Sequence, residues 1–155
     1  MAASGTIGPM NDDGQGFSAD ERAAMKETAA ERRAQAKRAK AADKEAADLQ
    51  DVLDKIAEMP DDDRALAEAV HRIVGEVAPE LAARTWYGMP AYTKDGKVVC
   101  FFKPAGKFKS RYATLGFEDA AALDDGALWA TSLAVLAIGA DEEKQIADLI
   151  ARAAS

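Results

Sequence analysis

Apolar positions along this chain change their period twice. From Ser18 to about Met59 neither proline nor glycine interrupts a run dominated by Ala, Glu, Lys, Arg and Gln, so helix propensity is high throughout. "SADE" at 18–21 opens the run as a capping box, with Ser18 at the N-cap and Glu21 three residues on. Large apolar residues are missing between Met25 and Leu49. This part therefore predicts a frayed, exposed helix with little to bury and no heptad seam. Like charges four apart, such as Arg33 and Lys37 or Lys40 and Lys44, weaken it further. At Leu49 the pattern changes: Leu49, Val52, Leu53 and Ile56 make a stripe with helical spacing. Pro60 is expected to close that helix, and Asp61, Asp62 and Asp63 to supply N-cap oxygens and negative charge to the next. Leu66, Val70, Ile73, Val74 and Val77 would form the buried face of this second helix, which Pro79 ends.

From Arg84 the period shortens to that of strands. Asp95-Gly96 between β-prone runs specifies a two-residue hairpin, because both turn positions require positive φ. "VVCFF" at 98–102 is apolar on both faces and suits a central strand, with "RYATLGF" as the next strand. "FEDAAALDDGALWA" predicts a short helix and loop, "TSLAVLAI" a strand, and Asp141 the cap of a last helix with Ile146, Leu149 and Ile150 inward. "WYGMPAY" at 86–92 reads as the first strand, at an edge or bulged, since Pro90 cannot donate to a ladder and Gly88 suits a bulge. The expected architecture is α+β: an antiparallel sheet of about four to five strands with helices packed on one face. A small, polar segment at 1–17, expected to be disordered, and the exposed helix at 18–48 precede a domain at 49–155.

Composition alters this picture in two ways. Of the 48% hydrophobic residues, 36 are alanines, so the core draws on few large side chains. The net charge of −7 argues against a general nucleic-acid binder. Cys100 is the only cysteine, no segment has the makings of a signal peptide or membrane span, and a soluble cytoplasmic protein is expected.

Motifs for dinucleotide, nucleotide-phosphate or zinc chemistry are missing, and the single histidine, His71, sits mid-helix away from any nucleophile elbow, so no catalytic residues are assigned. Two features remain. Asp61, Asp62 and Asp63, with Asp124 and Asp125 in a later loop, are the candidate ligands for a hard cation such as Fe²⁺; capping and solvation explain them as well. Trp86, Tyr87, Met89, Tyr92, Phe102 and Tyr112 are the candidate ligand or partner surface, on whichever sheet face the helices leave open; core packing explains them equally. "KPAGKFKSRY" at 103–112 interleaves four cations with Phe108 and Tyr112, as a single-stranded nucleic-acid surface or a solvated loop would.

"WYGMPAY", the hairpin "DGKVVCFF", "KFKSRYATLGF" and the C-terminal amphipathic helix together resemble the YdhG-like family of uncharacterised domains, over roughly residues 49 to 153. The segment "FSADERAAMKETAAERR" is similar to extensions of actinobacterial members. The resemblance implies a helix–sheet sandwich and, from one branch of the family, a frataxin-like iron chaperone that carries Fe²⁺ as weakly bound cargo to an iron-accepting protein. The alternative from the residues is an adaptor that contacts protein or nucleic acid through the basic helix at 18–48.

Overall fold

The computed structural model describes residues 18–155; the disorder expected at 1–17 lies outside them. They divide into two compact units, one ending at Asp43 and one spanning Lys44–Ser155. Helix α1, Ala19–Glu58, contributes to both. Its start is the expected capping box: the Glu21 N–H donates to Ser18 Oγ at 3.1 Å, and the Ser18 N–H to Glu21 Oε1 at 3.2 Å. Through residue 43 every side chain except half-buried Ala29 is exposed.

In the second unit α1 buries Val52 and Ile56, while Leu49 and Leu53 of the expected stripe stay 39% exposed. Pro60 is itself the N-cap of α2, Asp61–Val77, and contributes only its carbonyl, which accepts from the Arg64 N–H at 2.8 Å. The three aspartates thus lie inside the first turn rather than at the cap. There they still complement the helix dipole. Val70, Ile73 and Val74 are buried, as the period required.

Five strands follow in a simple meander: β1 Ala82–Trp86, β2 Met89–Lys94, β3 Lys97–Lys103, β4 Ala113–Phe117 and β5 Ser132–Val135. All neighbours are antiparallel. The sheet is followed by α3, Ala140–Ala154, whose N-cap is Gly139; the Gly139 N–H donates to Glu142 Oε1 at 2.8 Å. The helix expected within 117–130 does not form; turns and irregular chain fill that stretch.

"WYGMPAY" is not one strand but a hairpin. Trp86 pairs with Met89 across a two-residue turn in which Tyr87 has φ 51° and Gly88 φ 75°. Asp95 (φ 52°) and Gly96 (φ 80°) turn the second hairpin in the same way. In such a hairpin the flanking pair exchanges hydrogen bonds, so Pro90, one step on, points its nitrogen away from β1 and towards β3. The β2–β3 register accordingly starts only at Ala91 opposite Phe101. An interior strand tolerates the proline because the ladder has not yet begun there.

Register separates the two faces. Tyr92, Cys100, Phe102, Leu115 and Phe117 share one buried cluster with Val52 and Ile56 of α1, Val70 and Ile73 of α2, and Ile146 and Ile150 of α3. On the opposite face lie Arg84, Trp86, Met89, Ala91, Phe101 and Gly116. The helices thus pack on one face, as expected. No helix among the described residues is long and apolar enough to cross a membrane.

Candidate functional site

Antiparallel connectivity decides which loops meet. The β1–β2 turn and the β3–β4 connection, 104–112, fall at one end of the sheet; the Asp95-Gly96 turn and the stretch from Glu118 to Thr131 fall at the other. At the first end Lys107 Nζ donates to the Gly88 carbonyl at 3.3 Å and fills the space a Cβ at residue 88 would need. The positive φ favours glycine here; the Lys107 ammonium, at the end of a flexible side chain, could move aside.

The 104–112 loop is anchored from beneath by Asp63. Its carboxylate, 5% exposed, accepts from the Ala105 N–H at 3.1 Å and the Gly106 N–H at 2.9 Å. Burying a carboxylate is tolerable because two backbone donors face it. A cleft of about 370 Å³ runs along this seam, with Lys55, Glu58, Gly88 and Lys107 among its walls.

Above the anchor the loop is cationic and aromatic. Lys103 Nζ lies 5.0 Å and Lys107 Nζ 5.5 Å from the centre of the Phe108 ring, and the Arg111 guanidinium 5.3 Å from that of Tyr112. Among the described residues none of Lys103, Lys107, Lys109 and Arg111 has an ion-pair partner. Tyr87, 79% exposed at the hairpin tip, meets Trp86 edge-on at 5.0 Å, and Trp86 reaches Phe101 at 5.3 Å on the face away from the helices. Phe101 in turn lies over Gly116, where any side chain would strike its ring. Leu136, just past β5 at the other edge of the sheet, is 70% exposed. Arg84, on the same face as Trp86, keeps its Nε buried with no hydrogen-bond partner among the described residues.

Of the expected surface the structure joins Trp86 to Tyr87 by ring contact and pairs Trp86 with Met89, itself buried, while Tyr112 stands exposed at the same end of the sheet. Tyr92 and Phe102 do not belong to it. Both lie under the helices, 1% and 0% exposed, because their register puts them on the packed face. The Tyr92 hydroxyl pairs with His71 Nδ1 at 2.9 Å, so the one histidine satisfies a buried phenol. Burial raises the Tyr92 hydroxyl and lowers His71. It also pushes the Cys100 thiol up to about 12, which keeps it from acting as a nucleophile.

The expected cation ligands are dispersed in role. Asp61 pairs with Arg64 at 2.6 Å, Asp63 holds the loop, and exposed Asp62, Asp124 and Asp125 show no shared focus. Among the described residues no three His, Cys, Asp or Glu side chains gather as a metal would require. Lys103, Lys107, Phe108, Lys109 and Arg111 were visible in the sequence as a basic run. Its meeting with the hairpin tip was not, because that follows from strand order.

No family model, curated protein or solved structure matches the chain.

Proposed function

We propose that residues 44–155 form a non-catalytic binding module whose ligand is an anionic partner held at the cation-bearing end of the sheet. One observation carries this reading. Residues 103–112 hold four cations and no acid, none of the four ion-paired among the described residues, in a chain whose net charge is −7. Left in water, such a cluster repels itself; an anionic ligand removes that cost and gains charge-assisted hydrogen bonds.

The α+β element order supports kinship with YdhG-like domains, proposed on the strength of "WYGMPAY" and the hairpin after it. Iron carriage, which that kinship implies, finds no gathered ligand set among the described residues, so the anionic reading is preferred. A single, buried thiol fits a reducing compartment, and we assign the chain to the cytoplasm.

Retention on immobilised heparin tests the charge directly. The full chain is expected to elute at higher salt than a variant with Lys103, Lys107, Lys109 and Arg111 all changed to Gln. Equal elution of the two at matched melting temperature would remove the reading.

A second reading uses α1. Arg33, Lys37, Lys40 and Lys44 recur at spacings of four, three and four, which places them on one helix face. If this stripe is the contact instead, changing Arg33, Lys37 and Lys40 to Gln abolishes retention and the loop variant does not.

A further inference from the structure

We propose that this end of the sheet binds single-stranded nucleic acid, its bases stacking on Tyr87, Phe108 and Tyr112 while Lys103, Lys107, Lys109 and Arg111 hold its phosphates. The inference rests on the anionic reading above and adds the identity of the anion.

Charge alone would suit any polyanion. The rings narrow the choice. An acidic peptide needs the cations but has no use for exposed aromatic faces, whereas unpaired bases present a π-face at every step. Duplex bases are already stacked on one another and cannot use the rings. Three aromatic side chains stand exposed here at 79%, 39% and 36%, on two segments that Lys107 ties together through the Gly88 carbonyl.

Tyr87 supplies the second line of argument. The first position of this turn type calls for Asn, Asp or Gly, because both central residues need positive φ. The chain instead places a tyrosine there at φ 51°, with its ring almost wholly in solvent. Lys109, at φ 54°, is a second non-glycine residue held left-handed at the same end. Backbone strain that packing does not require concentrates where a side chain must be presented to a ligand. At the far end of the sheet, by contrast, Asp95-Gly96 follows the turn rule and carries no ring.

Fluorescence anisotropy with the full chain and a labelled oligothymidylate of about a dozen nucleotides tests the proposal, with the same length of duplex and poly-glutamate as competitors. Single strands are expected to bind more tightly than either. The logarithmic salt slope should fall by about 0.7 for each lysine changed to Gln, as one phosphate contact is lost. Tyr87→Asn removes the ring yet installs the preferred turn residue. It should weaken binding about ten-fold, within the range known for loss of one stacked base, at an equal or higher melting temperature. Phe108→Leu, which keeps apolar bulk but no ring, should act in the same direction. If poly-glutamate competes as well as the oligonucleotide, or both ring variants bind like the parent, the nucleic-acid proposal falls and the anionic reading survives. If neither polymer binds, both fall.

Discussion

Helix α1 contains a controlled comparison within one element. Its residues 19–43 and its residues 44–58 share one continuous helical backbone but not the same side chains. The earlier stretch offers one large apolar side chain, Met25, which is 53% exposed; the later one offers Val52 and Ile56, 0% and 4% exposed. Only the second part has entered a core. Alanine and charge make a helix locally, but burial needs large apolar groups recurring on one face, since each contributes about 1.5–3 kcal/mol when removed from water. The same contrast runs through the whole chain, where abundant alanine inflates apparent hydrophobicity and a few large residues hold the sheet.

Cutting into the packed side should break the comparison hardest. Phe102→Ala empties a fully buried site under the helices and is expected to cost about 3–5 kcal/mol in urea unfolding of the second unit. Ala34→Gly in the exposed stretch is the matched control. It should cost about 1 kcal/mol of helix, read as lost circular dichroism, and leave the cooperative unfolding transition in place.

Asp63 sharpens the comparison in another way, because the sequence groups it with two exposed neighbours and the fold does not. Asp63→Ala should lower unfolding free energy by about 2–3 kcal/mol, as two backbone donors lose a charged partner. Asp62→Ala should change little. Amide exchange at Ala105 and Gly106 would show the loop released in the first variant alone.

The smallest effect expected is the pH response of His71. Burial lowers its folded-state pKa below the ordinary 6.5, so the unfolded chain binds the proton more readily. Stability that this residue contributes is complete above about pH 6.5 and is lost as pH falls below it. His71→Gln keeps an acceptor for the Tyr92 hydroxyl but cannot be protonated. The parent should therefore lose more melting temperature than the variant between pH 7.5 and 5; parallel curves would remove His71 as the cause.

Much of the fold was legible because it depends on short-range rules. The capping box at Ser18, the Asp95-Gly96 hairpin and the buried faces of α2 and α3 each follow from residues within one or two turns of each other. The failures have a common cause. "WYGMPAY" looked like a bent strand because Tyr is a poor guide to a left-handed turn position, and only pairing of Trp86 with Met89 reveals the hairpin. The stretch at 117–130 had helical composition but is held by long-range contacts: the Glu118 N–H donates to the Val99 carbonyl and the Ala122 N–H to that of Ala153. Tertiary hydrogen bonds outweighed a weak local preference.

The candidate site divides along the same line. Sequence alone determined that a ten-residue segment would be basic and aromatic and that the aspartates at 61–63 would lie at a helix start, since these depend on neighbours in the chain. Tertiary structure alone decided that Tyr92 and Phe102 face the helices, that Asp63 reaches across to Ala105 and Gly106, and that Lys107 meets the Gly88 carbonyl beside Tyr87. Those outcomes depend on register and strand order, where a shift of one residue turns every side chain to the other face.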